Sequence, residues 1–198
     1  MTDPMNRTPI THAPSGAPLI GIVGWKKSGK TTLTVRLVEE FTRRGLRVAT
    51  VKHAHHSFRI DDEETDSARH RRAGAGQVAI VSSQRWAVVT ELAGVAEPDF
   101  ADVIATLAPA DLIIVEGYKS APIRKIEARR QGAFERRPLA EGDPLIVAVA
   151  ADHDPADRRL PWFSLDAITD IADFITATLA VAPSRTERRD PADAPPRR

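Results

Sequence analysis

The chain has 198 residues, enough for one full α/β domain and too few for two large ones. Hydrophobic residues make up 42% and charged residues 28%, and the formal net charge is +1, so no global charge draws the chain to nucleic acid or to an anionic membrane. It contains no cysteine, which excludes disulfides, thiolate zinc sites and thiol nucleophiles and agrees with a reducing cytoplasm.

Residues 1–18 carry Pro, Thr and Ser without an apolar core segment, so they read as a disordered leader and not as a secretory signal. Leu19–Val23 is an apolar run that predicts a first strand. Gly24-Trp25-Lys26-Lys27-Ser28-Gly29-Lys30-Thr31 follows it, and a helical pattern from Lys30 to about Arg44 puts Leu33, Leu37 and Phe41 on one face, with Gly45 as the stop. Arg47–Lys52 is a second strand. A polar, acidic connection from His53 to Asp66 leads to a short helix at about Ser67–Ala73. Gln77–Ser82 and Trp86–Thr90 read as an antiparallel hairpin at the edge of the sheet. Pro98 suits the first turn of a helix whose apolar face is Phe100, Val103, Ile104 and Leu107. Leu112–Val115, Ile123–Arg129 and Leu145–Ala150 are further strands, the first and last apolar throughout, as buried parallel strands are. Ile168, Ile171, Ala172, Ile175 and Leu179 define a closing helix with Asp166 as its N-cap. Residues 183–198, with no large apolar side chain, read as a disordered tail. The expected body, 19–182, is an α/β domain: a mostly parallel sheet flanked by helices on both faces, of the P-loop NTPase type.

The segment between the first strand and first helix is a complete phosphate-binding loop in the context that motif requires. Its glycines, Gly24 and Gly29, let backbone N–H groups of residues such as Lys27 and Ser28 point inward at a phosphate. Lys30 reaches the β- and γ-phosphates, the Thr31 hydroxyl can ligate Mg²⁺, and the helix start through Thr32 presents its positive dipole end to the same anion. Glu116, ending the strand from Leu112, sits where an acidic residue holds Mg²⁺ in this architecture, and Gly117 permits close backbone approach to a γ-phosphate. Asp111, at the other end of that strand, reads as a turn or cap residue. Of the acids between the second strand and second helix, Asp61 is the candidate to complete the metal site.

Three further groups have a chemical and a plain reading. His53, His55 and His56 could bind zinc, nickel or copper, but more simply line the anion-binding mouth. Arg69, His70, Arg71 and Arg72, and separately Lys119, Arg124 and Lys125, could take phosphates of a second ligand or form solvated faces. Asp152, after a buried strand, could accept hydrogen bonds from the guanine N1 and N2 groups, though the usual guanine signature is absent.

Four stretches, GWKKSGKTTL, VKHAHH, FRIDDEETDSARHRRAGA and ADLIIVEGYKSAPIRKIEARR, make the chain resemble the molybdopterin-guanine dinucleotide biosynthesis protein B (MobB) family. The resemblance implies a homodimeric GTP-binding adaptor with weak or absent hydrolysis, assisting a molybdopterin guanylyltransferase of the MobA type to attach GMP to molybdopterin. By position, Gly24, Gly29, Lys30, Thr31 and Thr32 would hold the triphosphate. Thr31 and Glu116 would hold Mg²⁺ with Asp61 as helper, and Asp152 would lie near the guanine. Trp25 stands where deviant phosphate loops carry a lysine donated across a dimer, so hydrolysis by that device is not expected. Two other classes stay open on the residues: an ATP-dependent ligase or kinase resembling dethiobiotin synthetase, and a GTPase metallochaperone using the histidines.

Overall fold

The computed structural model describes residues 9–54, 65–135, 137–155 and 159–182. In chain order the elements are β1 (Leu19–Val23), α1 (Lys30–Arg43), β2 (Val48–Lys52), α2 (Asp66–Arg72), β3 (Gln77–Val81), β4 (Trp86–Thr90), α3 (Phe100–Ala105), β5 (Leu112–Glu116), β6 (Lys125–Arg129), β7 (Ile146–Ala151), β8 (Trp162–Ser164) and α4 (Ile168–Leu179). The chain divides into two units, one running to His53 and resuming at Ile104, the other Ala54–Val103.

The first unit is built on a six-stranded sheet in the order β2-β5-β1-β6-β7-β8, and every pairing in it is parallel. Its core follows from strand alternation. Ile20 and Ile22 of β1, Leu112 and Ile114 of β5 and Ala148 and Ala150 of β7 share one face. They pack with Leu33, Leu37 and Phe41 of α1 and Ile171, Ile175 and Leu179 of α4. Alternate residues such as Leu19, Ile113 and Val115 are also buried, which explains why these strands read as unbroken apolar runs. α1 ends as predicted at Gly45: its N–H donates to Thr42 O (2.9 Å) and that of Leu46 to Phe41 O (3.0 Å), the paired bonds of a Schellman motif.

Several expectations are revised. Residues within the expected leader pack onto the body: Ile10 N donates to Pro122 O (2.7 Å), Leu19 N to Thr11 O (3.1 Å), and Ala13 and Ala17 are buried. The β3–β4 hairpin pairs as predicted, but as its own two-stranded sheet in the second unit and not as an edge of the parallel sheet. β8 was not expected; three residues behind Pro161 are too few to show a period, and the strand exists through its pairing with β7. Asp166 does not cap α4, whose N-cap is Ala167; its carboxylate pairs instead with Arg36 of α1 (2.7 Å). Thr65, not a residue of the predicted helix, caps α2 by accepting from Ala68 N. Among the described residues, no helix is long and apolar enough to cross a membrane.

Candidate functional site

The parallel register brings three carboxyl-terminal strand ends side by side, with Glu116 of β5 opposite Ile22 of β1 and Lys52 of β2. The loop leaving β1 turns there because Gly24 adopts φ +150°, and a Cβ at that position would stand 2.4 Å from both Ala128 O and Ser28 Oγ. Gly24→Ala must therefore displace backbone, and we expect a loss of about 1–3 kcal/mol in stability. An unchanged urea midpoint would contradict that packing.

The loop closes on itself. Lys30 Nζ donates to Trp25 O (2.7 Å) across the turn, and Ser28 N donates to the same carbonyl (3.1 Å). Burial pushes the Lys30 ammonium below its ordinary value; Glu116 opposes that shift, while Lys119 and Lys52 add to it. Lys27 holds φ +65°, a left-handed conformation rare for a side chain and typical of loops that aim N–H groups inward. Gly29 precedes a 14-residue α1 that has no side-chain cap and no acidic residue in its first turn, leaving its N–H groups for an anion. A cavity of about 340 Å³ is lined by Lys27 through Thr32 together with Arg130.

Thr31 Oγ1 donates to Glu116 Oε1 (2.7 Å), and Lys52 Nζ lies 3.4 Å from the same oxygen. Two hard oxygen donors in contact, one of them a buried carboxylate, suit Mg²⁺. Ser28 Oγ, buried in the loop, has no hydrogen-bond partner among the described residues, as a donor suited to a phosphate oxygen would be before its ligand arrives. The residues present thus fit a magnesium-bound triphosphate. Gly117, at φ +83°, donates its N–H to Ile22 O (3.0 Å), and a Cβ at this position would stand 3.2 Å from His53 O.

Asp152 follows β7. Its Oδ1 accepts from Gln131 N (3.0 Å) and contacts His153 Nδ1 (2.8 Å), and the His153 bond, first among the causes, holds its carboxyl below the usual range. His153 lines a smaller cavity of about 170 Å³ with Trp25, Ser28 and Arg130. Asp152 is therefore already engaged, by Gln131 and by the His153 that lines this cavity.

The other candidates separate. His53 stacks on Tyr118 with ring centroids 4.3 Å apart, while His55, His56 and Asp61 lie outside the described residues. No cluster of three metal-ligating side chains occurs among the described residues. Arg71 pairs with Glu91 (2.9 Å). Lys119, Arg124 and Lys125 do not act together: Arg124 donates to Thr178 O (2.7 Å), buried Lys125 pairs with Asp143 (2.8 Å), and Lys119 lies over the Trp25 ring. Asp111 sits in the bend that leads into β5 and is a buried anchor for Arg47, accepting from its backbone and guanidinium.

Sequence reasoning missed Arg130 and Lys52. Arg130 follows β6, where Arg129 turns inward to Glu127 (2.7 Å) and Arg130 turns toward the loop; a Cβ on Gly29 would stand 2.8 Å from Arg130 Nε. Lys52 ends β2 and Arg130 follows β6, and that position at the carboxyl ends of parallel strands was the available signal.

A family model described as MobB, molybdopterin guanine dinucleotide synthesis protein B, matches residues 19–152. A Haemophilus influenzae protein named molybdopterin-guanine dinucleotide biosynthesis adapter protein is 40% identical over 158 residues, covering 80% of this chain and 87% of that protein. The Escherichia coli protein of the same name is 35% identical over 160 residues, covering 80% of this chain and 91% of its own length. A crystal structure of molybdopterin-guanine biosynthesis protein B aligns with a TM-score of 0.61 and 29% identity over 82% of this chain and 99% of its own. With the matched span running from the phosphate-loop strand through β7 to Asp152, the chain belongs to the MobB family.

Proposed function

We propose that this chain is a GTP-binding adaptor of molybdopterin-guanine dinucleotide biosynthesis, working in the cytoplasm as a homodimer beside a molybdopterin guanylyltransferase of the MobA type. The observation that carries the nucleotide reading is the convergence of the closed phosphate loop, Lys30 and the Thr31–Glu116 contact at the carboxyl ends of the interior strands β1 and β5. Family membership and the names of the relatives support the adaptor role. In this reading Gly24, Lys27, Ser28, Gly29, Lys30, Thr31 and Thr32 hold the triphosphate, Gly117 lets the strand end approach it, and Arg130 contacts it from the far side of the loop. Thr31 and Glu116 hold Mg²⁺, with Asp61 as helper; the ion, when bound, neutralises charge on the β- and γ-phosphate oxygens. Asp152 and His153 face the guanine. Hydrolysis is slow, because Trp25 stands where deviant phosphate loops carry a lysine donated across a dimer.

Titration of GTP and ATP with and without Mg²⁺ tests the site. Selective, Mg²⁺-dependent GTP binding supports the reading, and preference for ATP moves the case to a small-molecule ligase or kinase. Added to guanylyltransferase, molybdopterin and GTP, the chain should raise product yield; no effect across protein ratios would sink the adaptor role. Glu116→Gln keeps the shape and the Thr31 contact but removes a charge. We expect it to fold normally and to lose most of the Mg²⁺ enhancement of GTP affinity, and an unaltered Mg²⁺ response would remove Glu116 from the metal site.

A further inference from the structure

The carboxyl ends of β1, β5 and β2 form a row with β5 in the middle, and Lys52 closes β2 directly opposite Glu116. Backbone contacts fix its place: His53 N donates to Glu116 O (2.9 Å), and the His53 ring stacks on Tyr118. The Lys52 ammonium stands 3.4 Å from Glu116 Oε1, the oxygen that also accepts from Thr31 Oγ1 (2.7 Å). The lysine side chain is 62% exposed, while that of Glu116 is 9% exposed. An ion pair with one partner this open to water is weak and readily exchanged.

The charge near the loop lysine is unbalanced. Burial lowers the Lys30 pKa most; Glu116 opposes that shift, and Lys119 and Lys52 add to it. Around Lys30, two further ammonium groups thus act against one carboxylate, and this excess favours an anion. Once Glu116 serves as a metal ligand, Lys52 loses its partner, because an ammonium and a divalent cation on one oxygen repel each other. The anion within reach is then the nucleotide itself. The loop leaving β1 cradles its inner phosphates, and a metal held by Thr31 and Glu116 bridges β- and γ-oxygens on the β5 side of that loop. β2 lies one strand farther in the same direction, roughly 5 Å beyond β5. Lys52 therefore stands on the terminal-phosphate side, and Arg130, after β6, on the opposite side.

We propose that Lys52 selects a nucleoside triphosphate over a diphosphate, exchanging the Glu116 carboxylate for the terminal phosphate when the metal-bound nucleotide enters. The proposal rests on the phosphate-loop reading and adds to it a cation that reads the third phosphate and not the base.

The test is calorimetric titration of the full chain with GTP, GDP, ATP and ADP in saturating Mg²⁺. Lys52→Ala is expected to weaken GTP by roughly five- to tenfold and to leave GDP within about twofold of the parent. Retained GDP affinity also shows that the variant is folded. Lys52→Arg keeps the charge and should keep most of the triphosphate preference. The adenine nucleotides separate this proposal from the guanine reading. If the parent prefers ATP and Lys52→Ala lowers the ATP-to-ADP affinity ratio, the GTP assignment falls and the role of Lys52 stands. Equal weakening of di- and triphosphate in Lys52→Ala, or an unchanged ratio, would overturn the proposal alone. A parent chain that binds none of the four would overturn the phosphate-loop reading and this proposal together.

Discussion

Lys30→Ala is expected to weaken GTP binding by roughly ten- to a hundredfold, the loss of a charge-assisted contact of about 1.5–3 kcal/mol. The side chain is well placed for that effect. Its ammonium already bridges the loop to Trp25 O at 2.7 Å, so little reorganisation separates it from a bound phosphate. Burial, reinforced by Lys119 and Lys52, sets its pKa below 10.5 in the free protein. A bound triphosphate favours the charged form and raises that pKa. The sign follows: well below the lowered value binding takes up no proton at Lys30, and as pH climbs through it affinity falls and each binding event takes up a proton. Calorimetry in buffers of different ionisation enthalpy reads this directly. Retained affinity in the alanine variant would show that the triphosphate is held elsewhere.

The largest stability effect is expected at Glu127, which no nucleotide argument uses. Its side chain is 1% exposed; it pairs with Arg129 (2.7 Å) and accepts from the backbone N–H groups of Leu139 (2.9 Å) and Ala140 (3.2 Å). Glu127→Ala leaves a mostly buried guanidinium and two donors without their acceptor. Breaking one side of a buried pair costs about 3–5 kcal/mol, even where the pair itself adds little over a well-packed apolar substitute. For a chain of this size that lowers the melting temperature by about 6–20 °C. Glu127→Gln should lose less, since its amide oxygen can still accept from one N–H. A Glu127→Ala melt within a degree or two of the parent would show that water or a neighbour satisfies these groups.

The phosphate loop, α1 and the apolar strands were readable because their determinants lie within a few residues of each other. Gly24 and Gly29 meet backbone requirements of their own turn, Leu33, Leu37 and Phe41 mark a helical face, and an unbroken run such as Leu112–Val115 marks a strand covered on both sides. The pairing of Glu116 with Thr31, 85 positions apart in the chain, was anticipated because strand, loop and helix in that order constrain where the next buried parallel strand ends.

What sequence could not supply were partners chosen by the sheet order. Three cations close together in the chain, Lys119, Arg124 and Lys125, reach an indole, a carbonyl of α4 and a buried carboxylate, because only Lys125 lies on β6, between β1 and β7, while Lys119 sits in the turn after β5 and Arg124 just before the strand. Asp166 had a good N-cap composition, yet an arginine from α1 arrived within 2.7 Å and took its carboxylate. β8 is a strand only because β7 offers it an edge. Local geometry and hydrophobic period are written in neighbouring residues, so the sequence by itself determined the turn of the Gly24–Gly29 loop and the types of most elements. Which charge neutralises which, and which cavities remain between the elements, depends on contacts made across the whole chain, and those only the tertiary structure decided.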